Sequence, residues 1–323
     1  MTAQGNLDTL VTVFGGSGFL GRHVVRALAR RDFRIRAAVR RPDLAGHLQP
    51  LGRVGQIHAV QANLRYPGSV EAAAQDATVV INLVGILFER GRQSFDAVQA
   101  QGADVVAQAT QAAGARLIHV SAIGANPDSA SLYARSKAAG EAAAREALPD
   151  ATIFRPSIVF GPEDDFFNRF ASLARMSPML PLIGGGATRF QPVYVGDVAE
   201  AIARAVENQV RRGMTYELGG PEVRTFKELM QYVLAVTERR RLLVPLPFGL
   251  AKLQAHVLQH LPKPLLTTDQ VALLRQDNVV SEAAKTEGRT FEAIGIKPTA
   301  MEAIVPSYLW RFRKAGQFRS SAA

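Results

Sequence analysis

The sequence contains no cysteine, so two common means of stabilising a fold are absent. Neither disulfide bonds nor thiolate metal sites can hold the chain together or supply chemistry. We therefore predict no metal site. A chain of this composition suits a reducing compartment.

Long apolar runs and targeting segments are also missing. No stretch reaches the about 18 consecutive apolar residues that a membrane-spanning helix needs. The chain enters its first predicted strand at Leu10 without a basic region followed by an apolar one, so no signal peptide is expected. We predict a cytoplasmic protein whose contact with a membrane would be peripheral, on the inner face.

The composition is that of a globular protein with an excess of positive charge. Hydrophobic residues make up 47% of the chain and charged residues 20%, which permits a sizeable core. The formal net charge of +10 would attract phosphorylated cofactors, anionic lipid or an acidic protein partner. The basic residues are scattered and accompany no zinc finger or basic recognition helix, so we predict no nucleic-acid partner.

The first half of the chain alternates β-branched runs with alanine-rich helical runs, the pattern of βαβ units around a parallel sheet. Right-handed crossovers then favour an α/β fold with a doubly wound parallel sheet, a Rossmann fold. The predicted strands are residues 10–14, 33–39, 56–60, 78–83, 116–121 and 151–154. The predicted helices are residues 19–30, 69–74, 95–113 and 132–148.

After residue 155 the rhythm breaks into segments punctuated by proline and glycine, which predicts a smaller C-terminal lobe. Residues 191–206 again follow a strand-then-helix pattern, with Asp197 as the predicted N-cap. We expect an NAD(P)-binding domain over residues 1–155, to which residues 191–207 return. Residues 156–323 would form an interleaved substrate or partner lobe with amphipathic C-terminal helices. Its most suggestive polar groups, for which we expect a solvated loop, are Asp164, Asp165 and Arg169.

A glycine-rich turn follows the first predicted strand and opens the first predicted helix, with glycines at Gly15, Gly18 and Gly21. In a dinucleotide-binding fold the first glycine makes a tight turn, the second admits the pyrophosphate, and the third permits close helix–strand packing. Amides at the start of the helix then bind the phosphates. Some glycine-rich turns only reverse the chain, but the order of strand, loop and helix favours cofactor binding here.

The end of the second predicted strand lacks the acidic residue that binds a ribose 2′-hydroxyl in an NAD-selective site. Arg40 and Arg41 stand there instead. A guanidinium binds a 2′-phosphate through paired, charge-assisted hydrogen bonds, so we predict that NADP(H) is preferred, with NAD(H) as the alternative. The competing interpretation is two solvated surface arginines.

Tyr133 and Lys137 lie one turn apart at the start of a predicted helix. A nearby ammonium lowers the pKa of a phenol towards working pH, as a general acid–base for carbonyl and alcohol interconversion requires. Ser121 ends the preceding strand, where its hydroxyl would hydrogen-bond the reacting oxygen. These three residues are the candidate catalytic group. The alternatives are a lysine that only holds the cofactor ribose and a serine that satisfies a local amide.

Longer stretches carry a more specific resemblance. They are residues 82–85, 119–124, 133–141, 155–170 and 266–280. With these stretches the chain resembles the extended and atypical short-chain dehydrogenase/reductase superfamily. More narrowly, it is similar to the nucleotide-binding accessory subunit family of respiratory complex I (NADH:ubiquinone oxidoreductase). In mitochondrial members of that family the bound NADPH is regarded as structural.

The resemblance implies a cofactor contact for each matching residue. The residues implied at the pyrophosphate are Gly15, Ser17, Gly18, Phe19, Leu20 and Gly21. Arg40 is implied at the 2′-phosphate, and Asn63 and Leu64 are implied at the adenine. Those implied at the ribose and nicotinamide are Leu83, Val84, Gly85, Lys137, Pro156, Ser157 and Ile158.

Three functions stay open at this point. The resemblance favours an NADP(H)-binding accessory or assembly component of complex I, or of a similar membrane-associated assembly. The retained tyrosine and lysine favour an NADPH-dependent oxidoreductase or epimerase that acts on a hydrophobic carbonyl or alcohol substrate. The third is a redox-sensing regulator that binds the dinucleotide without turnover.

Residues 248–263 form a predicted amphipathic helix. Its apolar side carries Leu250, Leu253, Val257, Leu258 and Leu261, and its other side carries Lys252, His256, Gln259 and Lys263. The basic flank favours peripheral docking at an anionic lipid surface or against a membrane subunit. The alternative is an apolar stripe that caps the protein's own lobe.

Overall fold

The computed structural model describes residues 4–261 and 264–314. In chain order the strands are β1 (Leu10–Phe14), β2 (Arg34–Val39), β3 (Ile57–Gln61), β4 (Val79–Asn82), β5 (Arg116–Val120), β6 (Thr152–Pro156), β7 (Val159–Phe160), β8 (Met179–Ile183), β9 (Arg189–Phe190), β10 (Val193–Tyr194), β11 (Thr215–Leu218), β12 (Arg224–Thr225) and β13 (Leu242–Leu246). The α-helices are α1 (Gln4–Leu7), α2 (Phe19–Ala29), α3 (Pro67–Ala74), α4 (Gln101–Ala112), α5 (Leu132–Ala147), α6 (Phe167–Met176), α7 (Val195–Val206), α8 (Phe226–Val236), α9 (Phe248–Leu258), α10 (Thr268–Leu273), α11 (Glu282–Thr286), α12 (Met301–Ile304) and α13 (Pro306–Leu309).

Seven strands form one parallel sheet in the order β11-β6-β5-β4-β1-β2-β3. The chain winds from β1 towards β3 on one side and from β4 towards β11 on the other, so the strand order reverses between β1 and β4. The loops that leave these two strands therefore diverge, and this is the switch point at which doubly wound sheets bind ligands. The predicted doubly wound parallel sheet is confirmed.

The six predicted sheet strands lie within two residues of their predicted bounds, and the largest difference is at β6. This strand was expected to end at Phe154 but continues to Pro156. Residues 154–156 are extended because β11 pairs with them, with Glu217 opposite Arg155. The partner strand β11 lies about 60 residues later in the chain, so the local sequence around β6 could not predict the pairing.

The predicted helix over residues 95–113 is divided in the structure. Asp96–Ala100 forms a π-helical turn that leads directly into α4. Both α4 and α5 are rich in alanine and glycine, which permits close packing. A Cβ on Gly140 of α5 would lie only 2.4 Å from the carbonyl oxygen of Gln99.

The chain divides into two compact units. The first contains the seven-stranded sheet and consists of the residues up to Pro156 together with Gly196–Leu218 and Glu282–Ile296. The second consists of Ser157–Val195, Gly219–Ser281 and the residues from Lys297 onwards. Asp197 was expected to precede a helix as its N-cap, but α7 begins at Val195 and places Asp197 inside its first turn. That expectation is wrong, because the helix starts three residues earlier than the side-chain pattern indicated.

The second unit is built from three short two-stranded sheets and helices around an aromatic core. Asp164 is buried there and accepts hydrogen bonds from the Tyr308 hydroxyl, at 2.5 Å, and from the backbone amides of Gly161 and Asn168. Burial raises the pKa of its carboxyl. The expectation of a solvated loop is therefore wrong for Asp164, which stabilises the turn leading into α6. Within the described part of the chain no helix is long and apolar enough to span a membrane.

Candidate cofactor site

The glycine-rich loop turns sharply at the end of β1. Gly15 has a φ of +82°, and its amide donates to the carbonyl oxygen of Ala38 at the end of β2, at 3.0 Å. A Cβ on Gly15 would lie 3.4 Å from the carbonyl carbon of Leu83 and from Cγ2 of Val84. Three predicted cofactor residues, Gly15, Leu83 and Val84, are thus brought together where β1 and β4 end.

The first turn of α2 packs directly on this loop. A Cβ on Gly21 would lie 2.2 Å from the carbonyl oxygen of Gly15, a distance that no side chain tolerates. The helix begins after Gly18, whose amide donates to the Gly15 carbonyl oxygen at 3.0 Å. No side chain caps α2. The amide donors of its first turn can therefore bind an anion, and the loop fits a dinucleotide pyrophosphate.

Ser17, Phe19 and Leu20 are half-buried around the same turn. The Phe19 ring lies edge-on to the imidazole of His23, one helical turn later, with centroids 6.0 Å apart. This contact holds the aromatic side chain along the helix. That the backbone amides of these residues bind a phosphate at the helix start stays a prediction.

The two arginines that follow β2 have different surroundings. Arg41 makes a paired hydrogen bond to Asp43, with nitrogen–oxygen distances of 3.0 and 2.7 Å. This hydrogen bond is the main reason that the pKa of the Arg41 guanidinium is raised and the pKa of the Asp43 carboxyl is lowered. Arg40 is exposed and has no ion-pair partner within the described part of the chain. Of the two predicted phosphate ligands, Arg40 is the one whose charge is not already balanced.

Asn63 and Leu64 make structural contacts. The side-chain Oδ1 of Asn63 accepts from the backbone amide of Arg65 at 3.2 Å. The backbone amide of Asn63 donates to the Ser69 hydroxyl at 3.0 Å. Leu64 is buried in the core, where a Cβ on Gly102 of α4 would lie 3.0 Å from it. Their predicted approach to adenine stays a prediction.

The loop after β4 is joined to α5. A Cβ on Gly85 would lie 3.3 Å from the Lys137 Nζ and 3.4 Å from Gln99 Oε1. Gln99 accepts from the Ile86 amide at 2.9 Å and donates to the Ser136 hydroxyl at 2.8 Å. Sequence reasoning missed Gln99, because nothing in its local pattern distinguishes it from the other glutamines of this helical run.

Lys137 is almost fully buried, with 5% of its surface exposed. Its Nζ donates to the carbonyl oxygen of Val120 at 3.2 Å. Burial lowers its pKa to about 8, although the charge of Glu141 opposes this shift. Glu141 is held by Arg155 through two hydrogen bonds of 2.8 and 2.7 Å. The ammonium thus sits at the end of β5 with only part of its hydrogen-bonding capacity used there.

Two buried side-chain atoms, one in β5 and one directly after it, lack hydrogen-bond partners among the described residues. They are the Ser121 Oγ and the His119 Nε2. The Ser121 amide donates to the Phe154 carbonyl at 2.8 Å, so the serine backbone is fixed while its hydroxyl is not. Burial, with the nearby charge of Lys137, lowers the pKa of His119 to about 3, so this imidazole is neutral. Since a buried hydroxyl normally has a partner, the free Oγ of Ser121 suits a hydrogen bond to a bound group.

Tyr133 stands in the first turn of α5, as predicted from the spacing. The hydroxyl of Ser131 accepts from the Ala134 amide at 3.2 Å and caps the helix. The Tyr133 ring packs edge-on against Phe95, with centroids 5.7 Å apart. Tyr133 and Lys137 are four residues apart in this helix and so lie on the same face, one turn from each other.

The last three predicted residues fall on either side of the unit boundary. Pro156 ends β6, and its carbonyl oxygen accepts from the Ile123 amide at 3.0 Å. Ser157 and Ile158 belong to the second unit, where Asn278 Oδ1 accepts from the Ser157 hydroxyl at 2.6 Å and from the Ile158 amide at 3.1 Å. Asn278 lies in the stretch over residues 266–280 but was not singled out as a site residue.

The switch-point loop with its glycine cradle, the helix start without a side-chain cap and the buried lysine define a dinucleotide-binding protein of the short-chain dehydrogenase/reductase class. Residues 11–219 match the model of the NAD dependent epimerase/dehydratase family. Of two related proteins, the first makes the assignment narrower. The chain is 36% identical over 320 residues to NADH dehydrogenase (ubiquinone) 1 alpha subcomplex subunit 9, mitochondrial, of Arabidopsis thaliana, covering 95% of this chain and 79% of that one. It is 39% identical over 190 residues to a ceramide reductase of Caulobacter vibrioides, covering 59% and 58% of the two chains.

The chain therefore belongs to the NAD dependent epimerase/dehydratase family and, within it, to the family of the complex I alpha subcomplex subunit 9. Solved structures agree on the fold. An NADPH-dependent quinone oxidoreductase from Escherichia coli, complexed with NADPH, has a TM-score of 0.72 at 18% identity and covers 93% of this chain and 99% of its own. UDP-glucose 4-epimerase from Thermus thermophilus, complexed with NAD, has a TM-score of 0.67 at 21% identity and covers 95% and 100%.

Proposed function

We propose that the protein binds NADP(H) in preference to NAD(H) and serves as an accessory or assembly component of respiratory complex I, or of a similar membrane-associated assembly. The observation that carries the assembly role is the 36% identity to the complex I subunit along 95% of this chain. We place the protein at the membrane periphery, as such a role requires.

The cofactor preference is supported by the surroundings of Arg40. This guanidinium follows β2 without an ion-pair partner in the described chain, while the neighbouring carboxylate of Asp43 is taken up by Arg41. A 2′-phosphate would receive charge-assisted hydrogen bonds there, and no acidic side chain is left to bind a 2′-hydroxyl. The loop from Gly15 to Gly21 would hold the pyrophosphate. Gly85 and Lys137 would border the nicotinamide ribose.

The experiment that tests this role is native co-purification. A tagged copy of the protein is expressed in its own organism, and membranes are washed and then solubilised in mild detergent. We expect the tagged protein to migrate with complex I activity in native electrophoresis and to carry NADPH that survives gel filtration. A protein found only in the soluble fraction, with freely exchanging dinucleotide, would contradict the accessory role.

A second function is favoured by the unpartnered hydroxyl of Ser121, the residue that follows the Val120 carbonyl to which Lys137 donates. We propose as the alternative an NADPH-dependent reductase or epimerase acting on a hydrophobic carbonyl or alcohol. A bound nicotinamide would supply hydride, Ser121 would hold the substrate oxygen, and Tyr133 would exchange a proton with it. The ceramide reductase relative supports a long-chain carbonyl substrate. Oxidation of NADPH on addition of a long-chain ketone, abolished in Tyr133→Phe, would favour this alternative over the accessory role.

A further inference from the structure

One side of helix α9 exposes aliphatic side chains, while its Phe248 and Leu258 are half-buried. Leu253 and Val257 are 67% and 68% exposed, and Leu250 and Leu261 are exposed as well. Ala251 and Ala255, in contrast, are fully buried. The helix ends at Leu258, short of the predicted bound, and residues 262 and 263 lie outside the described residues. The alternative, an apolar stripe that caps the protein's own lobe, does not hold for these four exposed side chains.

Helix geometry explains how both faces coexist. At about 3.6 residues per turn, Leu250, Leu253 and Val257 share an arc of roughly 60°, and the two buried alanines lie nearly opposite. The alanine face packs against Ile183 at the end of β8 and Leu246 at the end of β13, all within the second unit. The helix is therefore anchored with its apolar stripe outward, and an exposed apolar patch of this kind marks a docking surface.

Positive charge accompanies the stripe. Arg239, Arg240 and Arg241 directly precede β13, and β13 leads into α9. The Nε of Arg239 donates to the Phe312 carbonyl oxygen at 2.8 Å, and the Nε of Arg241 donates to that of Ala174 at 2.7 Å. Both acceptors are uncharged, so these bonds position the arginines without neutralising them.

The acidic residue that directly precedes these arginines, Glu238, is already in an ion pair. Glu238 is paired with Arg313, at 3.1 Å. At about 3.3 Å per residue, β13 separates these arginines from the start of α9 by roughly 15–20 Å. On the strand between them, Leu242 is exposed and stands opposite the exposed Met179 of β8.

We propose that α9 docks this protein on an anionic lipid bilayer. The docking face consists of Leu250, Leu253, Val257 and Leu261, which enter the interface, and of Arg239–Arg241, which lie over lipid phosphates. Charge decides between the occupants of an apolar face. A second copy would bring the same arginines against each other on a protein of net charge +10, whereas an anionic bilayer offers both phosphate and hydrocarbon. This inference goes beyond the accessory role, which requires only protein contacts.

The test is flotation of the full chain with two kinds of vesicle, phosphatidylcholine alone and phosphatidylcholine mixed with phosphatidylglycerol. We expect binding to the anionic vesicles only, and weaker binding as sodium chloride rises, because surface charges are screened within about 10 Å at 0.1 M salt. Leu253→Glu/Val257→Glu is expected to lower the partition constant by about tenfold or more, because it places two carboxylates in the interface.

The matched control is Val54→Glu/Val223→Glu. It introduces the same two negative charges at exposed valines outside the docking face, and binding is expected to stay within about twofold. Circular dichroism and NADPH retention check that both variants are folded. Failure of the parent protein to bind anionic vesicles, or equal loss in both double variants, would overturn the proposal.

Two further readouts separate the other outcomes. Dimerisation that is lost in Leu253→Glu/Val257→Glu, without any vesicle binding, would assign the face to a second copy and overturn the lipid assignment. A protein that binds vesicles but no NADPH would contradict the cofactor proposal and leave the docking face standing. A protein that retains NADPH but does not bind vesicles would overturn the docking proposal and leave the cofactor proposal standing.

Discussion

The ammonium of Lys137 donates to the carbonyl oxygen of Val120 across 3.2 Å, from a position with little access to water. One neutral acceptor compensates a buried ammonium only in part. The pKa of Lys137 accordingly falls from 10.5 to about 8, with desolvation as the largest cause. The buried charge of Lys137 therefore lowers the stability of the cofactor-free protein. Residues that serve binding are often destabilising in this way.

This cost has a defined pH dependence. Above a pH of about 8 the native lysine is neutral, whereas the unfolded chain keeps its proton up to about 10.5. The unfolded state binds more protons between these values, so stability rises with pH there, and the full penalty acts below pH 8. Lys137→Met, which removes the charge and keeps a similar volume, should raise the free energy of unfolding by up to about 3 kcal/mol at neutral pH.

Urea denaturation of the cofactor-free parent and of Lys137→Met, at pH 7 and near pH 10, measures this. The gain should shrink as the pH rises. A difference that is the same at both pH values would show that burial of the charge is not its cause.

Two residues of α5, Lys137 and Tyr133, are expected to have different roles, one in cofactor binding and one in catalysis. Lys137→Met should weaken NADPH binding, because the lysine is the cation beside Gly85, where the ribose would lie. Tyr133→Phe should leave NADPH retention nearly unchanged, since its ring packs on Phe95 and phenylalanine keeps that contact. Any reductase activity should disappear in Tyr133→Phe with the proton donor. Equilibrium dialysis with NADPH distinguishes the two variants, and loss of cofactor in Tyr133→Phe would contradict this division of roles.

The choice between NADPH and NADH should depend on Arg40. We expect Arg40→Asp to reduce the NADPH preference by about 10- to 100-fold, because hydrogen bonds to charged groups contribute about 1.5–3 kcal/mol each. Arg34→Asp is the control, since Arg34 is exposed at the opposite end of the same strand. Fluorescence titration with both dinucleotides measures the ratio. Equal affinities of the parent protein for NADPH and NADH would refute the preference itself.

Local rules were enough to predict the glycine loop and its flanking elements from sequence. The turn at Gly15 and the close packing at Gly21 each follow from the residue type at one position, so β1 and the start of α2 lie where the pattern placed them. The ion pair of Arg41 with Asp43, two residues on, is also local, but only coordinates showed that it leaves Arg40 unpaired.

Long-range relationships were beyond the sequence. β11 completes the sheet beside β6 from far along the chain, and Glu282–Ile296 returns to the first unit without a distinguishing pattern. For α9, periodicity predicted a helix with leucines on one side and Lys252 and His256 on the other. It did not show that the alanines face inwards and the leucines outwards, because that depends on the space left by Ile183 and Leu246.

Gly21 offers the most direct test of the loop geometry. Gly21→Ala places a Cβ 2.2 Å from the Gly15 carbonyl oxygen, and the neighbour is backbone that cannot rotate away. We expect a loss of about 1–3 kcal/mol in the free energy of unfolding, as is usual for overpacking, together with weaker NADPH binding because Gly15 must shift. Gly46→Ala is the control, since a Cβ there meets nothing within 4 Å, and its effect should stay within about 0.5 kcal/mol. Urea denaturation and NADPH titration of both variants decide the matter: a Gly21→Ala protein as stable and as tightly bound to NADPH as Gly46→Ala would mean that α2 does not pack on the loop as closely as described.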